Sequence, residues 1–130
     1  MVSAGQTATA TVTVTESNIA KTMKSGSLDV FATPAMSALM EEAAQAAVQP
    51  YLEDGEGTVG IALSITHEAP TPLGATVTAK ATVSAVEGRK ITFDIEASDG
   101  VGIIGRGTHE RFVINNEKFM AKVHSRANAN

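Results

Sequence analysis

Between Val30 and Leu52 the apolar positions recur with the period of a helix. Met36, Leu39, Met40, Ala43, Ala44 and Ala47 fall at three- and four-residue spacing and make one apolar stripe. Thr33 suits the N-cap, Pro34 suits the first helical position because its missing N–H would be unpaired there, and Pro50 ends the helix. On both sides the period falls to two, that of a strand with one buried face. Thr7–Thr15 alternates strictly. Thr58–His67 puts Val59, Ile61, Leu63, Ile65 and His67 on one face, so that a histidine ends an apolar row. Ala75–Val86 and Lys90–Ser98 alternate in the same way, and Glu87-Gly88-Arg89 connects them tightly. Asp99-Gly100 leads into Val101–Ile114, whose Gly102, Gly105 and Gly107 predict bulges or strong bending. Glu16–Asp29 reads as a helical turn and flexible loop, Asn116–His124 as a short helix, and Ser125–Asn130 as a fraying end.

The predicted order is strand, helix, then four antiparallel strands, an α+β class. One helix packed against a curled antiparallel sheet is the hotdog arrangement, and a helix rich in alanine and methionine is slim enough for strands to approach closely. Such sheets pair edge to edge into dimers, which removes an exposed edge. The chain of 130 residues is read as a single domain, 1–130.

Composition narrows the function classes. The net charge of −4 and five aromatic residues without tryptophan oppose general nucleic-acid binding, though not one small basic patch for a phosphorylated ligand. No apolar run approaches the roughly 18 residues that span a bilayer, and Met1–Thr7 lacks the pattern of a signal peptide. The expected setting is cytoplasmic. Without cysteine there is no disulfide or thiolate chemistry.

Two stretches match the dinucleotide pattern G-x-G-x-x-G, Gly55–Gly60 and Gly100–Gly105. Neither follows a strand while opening a helix, so both read as turn and bulge glycines. His67, His109 and His124 are scattered, with no pair at metal-ligand spacing, and no metal is expected. There is also no G-x-S-x-G elbow.

Thr33, Glu41 or Glu42, and His67 remain. Alone, Thr33 reads as a helix cap, the glutamates as solvated flanks of the stripe, and His67 as a satisfied core histidine. Each glutamate lies roughly 130° from the stripe centre, so periodicity does not choose between them. Together the residues suggest a site at a helix N-terminus, where free N–H groups and the positive dipole end polarise a carbonyl. Eight residues of helix rise about 12 Å, so Thr33 and Glu41 do not touch within one straight helix. Either the segment at Thr33 bends back, or two subunits supply the two groups.

The runs Val30-Phe-Ala-Thr33, Leu39-Met-Glu41, Pro50-Tyr-Leu-Glu-x-Gly-Glu-Gly57, Thr66-His67, Thr71-Pro72-x-Gly74, Val86-Glu-Gly-Arg89, Asp99-Gly100-Val101 and Gly107-Thr-His-Glu-Arg111 resemble the fluoroacetyl-CoA thioesterase-like family of hotdog proteins. The resemblance spans about Phe31 to Val123. It implies a homodimeric acyl-CoA thioesterase, with a higher oligomer left open, that cleaves a thioester into a carboxylate and coenzyme A and needs no separate cofactor. It carries the family's threonine, glutamate and histidine onto Thr33, Glu41 and His67, and so chooses Glu41 over Glu42. Gly60 and Arg111 match substrate-site positions, and Phe31 and Met36 are added as substrate-binding neighbours. The loop Lys24–Asp29 lacks the aromatic residues of the fluoroacetyl-specific enzyme, and Pro34, Ala35 and Glu42 differ too. The expected substrate is therefore another short- or medium-chain acyl-CoA. Two other classes stay in view: a non-catalytic acyl-CoA binding or sensing module, and a hydratase-type hotdog. The hydratase reading lacks its Asp-x4-His pair.

Overall fold

The computed structural model describes residues 1–129. Five antiparallel strands, β1 (Thr7–Thr13), β2 (Glu56–His67), β3 (Thr76–Glu87), β4 (Lys90–Ser98) and β5 (Ile103–Asn115), lie in the order β1-β3-β4-β5-β2. A four-residue helix, α1 (Ala20–Met23), precedes the long helix α2 (Thr33–Val48), and α3 (Asn116–Ala129) closes the chain. The terminal helix runs past its predicted end at His124, so Ser125–Ala129 is helical rather than frayed; Asn130 lies outside the described residues.

The stripe on α2 is the core. Met36, Leu39, Met40, Ala43, Ala44 and Ala47 are all buried against the inner rows of β3 and β4, Val77, Ala79, Ala81 and Val83, and Ile91, Phe93, Ile95 and Ala97. Small side chains on both surfaces let helix and sheet approach closely. At Gly105 there is no room for a side chain, since an added Cβ would stand 2.6 Å from the Thr66 carbonyl oxygen and 2.7 Å from Met36 Sδ. The threonines of β1 form the outer row, with Thr11 and Thr78 hydroxyls 3.1 Å apart.

Two boundaries differ from the sequence reading. Ala32, not Thr33, is the N-cap of α2, and no side chain caps the helix, because the Thr33 hydroxyl is engaged elsewhere. In β2 the predicted single face is broken: Gly60 pairs with Arg111 and Ala62 with Glu110, leaving Ile61 as a bulge. Leu63, Ile65 and His67 stay on the inner row, while Val59 pairs with Phe112 on the other side and Ile61 is 52% exposed. One extra residue reverses the alternation. As expected, α2 stops before Pro50, and one 3-10 turn, Gln49–Tyr51, follows.

Candidate active site

The chain brings the candidate residues into two groups. The first is at the N-terminus of α2. Thr33 is its first residue, His67 is the last of β2, and Thr33 Oγ1 lies 2.7 Å from His67 Nδ1. His67 Nε2 is buried without a hydrogen-bond partner among the described residues. An unpaired buried nitrogen is costly in a purely structural role. Burial lowers the His67 pKa, which favours the neutral ring. Beside the pair is a cavity of about 300 Å³ lined by Ala20, Ser25, Phe31, Thr33, His67 and Ala69.

The helix end supplies donors. The Met36 N–H bonds the Ala32 carbonyl at 3.0 Å, and Pro34 has no N–H. Thr33 and Ala35 N–H groups take no backbone carbonyl among the described residues, so two donors rather than the whole first turn are left free at the helix end. Phe31 is anchored from behind: its N–H donates to the carbonyl of buried Thr71 at 2.9 Å, and the Thr71 hydroxyl donates to Asp99 at 2.8 Å. Asp99 also accepts the Val101 and Gly102 N–H groups, and these bonds, led by that from Val101, lower its pKa. Met36 is fully buried with its thioether against Gly105 and does not line the cavity.

The second group is at the β2 bulge. Arg111, 6% exposed, donates from Nε to Thr58 Oγ1 at 2.8 Å and from Nη2 to the Thr58 carbonyl at 2.9 Å. Its Nη1 is 3.8 Å from Glu41 Oε2. A Cβ on Gly60 would sit 3.0 Å from that carboxylate oxygen and 3.2 Å from His109 Cε1, so the missing side chain is what admits Glu41 here. Glu42, by contrast, points along the other flank of α2, to a groove beside β1 with Thr11, Val12 and Met23.

His109 belongs to this group as well, although the sequence reading did not single it out for this site. It is 1% exposed, stacks on Phe93 with ring centroids 5.8 Å apart, and meets the Ala62 carbonyl through Nδ1 at 2.7 Å and Arg111 Nη1 through Nε2 at 3.3 Å. The available signal was period two along β5: Gly105, Gly107, His109 and Arg111 form one row opposite Ala97, Ile95, Phe93 and Ile91.

Because α2 runs unbroken from Thr33 to Val48, the segment at Thr33 does not bend back, and the two groups stand apart in one subunit. Among the described residues no three His, Cys, Asp or Glu side chains converge as a metal site, and no helix is long and apolar enough to cross a membrane.

Residues 14–117 match the sequence profile of the family described as fluoroacetyl-CoA-specific thioesterase. The fluoroacetyl-CoA thioesterase of Streptantibioticus cattleyicolor is 52% identical over 101 residues, 78% of this chain and 73% of that protein. A variant of the fluoroacetyl-CoA thioesterase FlK, solved in complex with acetyl-CoA, superposes with a TM-score of 0.90 at 42% identity over 96% of this chain and 98% of that one. A thioesterase superfamily member from Thermus thermophilus gives a TM-score of 0.90 at 27% identity, covering 100% of this chain and 98% of the other. The curled sheet around one helix is thus the hotdog fold, and the chain belongs to the fluoroacetyl-CoA-specific thioesterase family of thioester hydrolases.

Proposed function

We propose that this protein hydrolyses a short- or medium-chain acyl-CoA to a carboxylate and free coenzyme A, at a site between two subunits of a homodimer. Thr33, Glu41 and His67 are its chemical groups. The observation that carries this reading is the 2.7 Å contact between Thr33 and His67 at a helix N-terminus with free donors. It holds a neutral imidazole beside a cavity, with Nε2 unspent.

The reading needs Glu41 near that pair, and β2 offers the route. It is an edge strand of twelve residues, and its antiparallel pairing with a second copy, centred between Gly60 and His67, would set one subunit's His67 beside the partner's Gly60 and Glu41. Thr33 and Ala35 N–H groups then polarise the thioester carbonyl. If Glu41 adds to the carbonyl carbon, the C–S bond breaks to give an acyl–Glu41 anhydride and coenzyme A thiolate; water then cleaves the anhydride, freeing Glu41, while His67 Nε2 takes that water's proton and passes it to the thiolate. If Glu41 instead takes the proton of the attacking water, the C–S bond breaks directly and His67 Nε2, free in the tautomer with Nδ1–H on Thr33 Oγ1, relays that proton from Glu41 to the thiolate. Arg111 braces Glu41 or meets a coenzyme A phosphate, and Gly60 and Phe31 shape the acyl end, Met36 being buried against Gly105 and outside the cavity wall. No separate cofactor is required. A cytoplasmic setting completes the proposal.

The 52% identical relative bears the name fluoroacetyl-CoA thioesterase. Here the segment 24–29 is exposed and holds no aromatic residue, which favours a wider range of acyl groups over strict fluoroacetyl preference. Thiol release from a panel running from acetyl- and fluoroacetyl-CoA to phenylacetyl- and longer esters tests the proposal. His67→Ala and Glu41→Ala should each lower turnover by about 10²-fold or more. Ester binding without release would make the protein a binding module instead.

A further inference from the structure

His109 is a buried titratable group that the chemistry above does not use. Its Nδ1 faces a carbonyl oxygen, which only accepts, so Nδ1 carries the hydrogen. Its Nε2 faces an Arg111 N–H, which only donates, so Nε2 carries none. Both contacts are met by one species, the neutral Nδ1–H imidazole. The flat ring also fits the face of Phe93.

We propose that His109 is a positioning residue of the acyl-CoA site: anchored on the carbonyl of Ala62 at the β2 bulge, it aims the Arg111 guanidinium, and through it the Glu41 carboxylate, at the open face beside Gly60. This rests on the reading that Glu41 serves the reaction. Thr58 holds Arg111 Nε and Nη2, which leaves Nη1 as the arm that reaches Glu41, and His109 is the neighbour that fixes that arm. The bulge is the origin of the chain of contacts. By inserting Ile61 it brings the Ala62 carbonyl over His109.

The charged groups around the ring are Arg111 on its own row of β5, Glu41 from α2 and Glu110 on its own strand; β4 and β2 contribute apolar Phe93 and Leu63. A proton on Nε2 would set N–H against N–H at Arg111 and release the arm.

The test combines kinetics with nitrogen NMR of the histidine rings and of the Arg111 Nη1–H group, the one that faces His109, in the full-length protein above about pH 7. Expected are the Nδ1–H tautomer at His109 and a slowly exchanging Arg111 signal. His109→Gln, whose amide offers one donor and one acceptor, should keep that signal and most of the turnover. His109→Leu should lose the signal and lower kcat on the order of 10²-fold, as for a small misplacement of a reacting group, with KM little changed. An Nε2–H tautomer, an unaltered Arg111 signal in the leucine variant, or an unaltered kcat there would overturn the proposal. Should the leucine variant not fold, the wild-type tautomer and the glutamine variant decide. A wild-type protein that cleaves no acyl-CoA sinks the reading of Glu41 and with it the catalytic half of the proposal. The ring tautomer and the Arg111 signal still decide whether His109 holds Arg111.

Discussion

Single side chains decide the acid behaviour of this protein. Burial lowers the pKa of both His67 and His109, with the Arg111 charge adding to the effect at His109. The unfolded chain therefore takes up protons first as pH falls below about 6.5, while the folded chain resists them. Stability is full above that point, is lost as pH drops through it towards the lowered native values, and levels off beneath them. Urea midpoints measured from about pH 8 to pH 5 should fall on the acid side, and His67→Asn, which keeps a partner near Thr33 but does not titrate, should flatten part of that fall. Turnover depends on the same neutral ring and should hold through neutrality, declining only below the ordinary histidine range. At Gly60 the nearest atom to an added methyl is the flexible end of Glu41. Gly60→Ala should thus cut turnover by displacing the carboxylate, with a modest fall in melting temperature because the buried His109 ring, 3.2 Å from the added Cβ and held at both nitrogens, must also give. Thr33 and His67 were legible in the sequence because each sits at the end of a clear periodic element. His109 was not: period two along β5 puts it beside Arg111, but the Ala62 carbonyl that anchors it is brought there only by sheet register and the β2 bulge.

Among the elements, α2 was legible almost residue by residue, as one apolar stripe with a proline behind it meets one sheet face. Strand β2 was legible in extent but not in face. The choice of Ile61 as the bulged residue depends on Arg111 and Glu110 across the ladder, a non-local pairing. The glycines of β5 were expected to mark bending, and two of them have a sharper reason: Gly105 and Gly107 give room to the Thr66 and Ser64 carbonyls and to the Met36 and Ile65 side chains. Backbone cannot retreat as a side chain can. Gly105→Ala should therefore destabilise the fold by about 1–3 kcal/mol, the range for overpacking, read as a lower urea midpoint at unchanged slope.

For the whole molecule, the proposed division of the site between subunits makes a prediction of its own. His67→Ala and Glu41→Ala proteins, each inactive, should regain activity when unfolded together and refolded as mixed dimers. One intact site in each mixed dimer, with half the dimers mixed, gives roughly a quarter of wild-type turnover. No recovery would put both groups in one subunit's site and refute the shared arrangement. Sedimentation should show a dimer, and Ile61→Lys on the exposed bulge should weaken it.

The loop ahead of α2 has a consequence for how such a protein changes over time. Its ends are tied, Ala20 N–H to the Val30 carbonyl and Lys21 N–H to that of Leu28, yet residues 24–29 contribute nothing to the core. Substitutions at its exposed side chains leave the buried core and the Thr33–His67 contact untouched. On the proposed reading, in which this segment lies beside the acyl group, acyl preference changes on a separate track from catalysis, one short segment at a time.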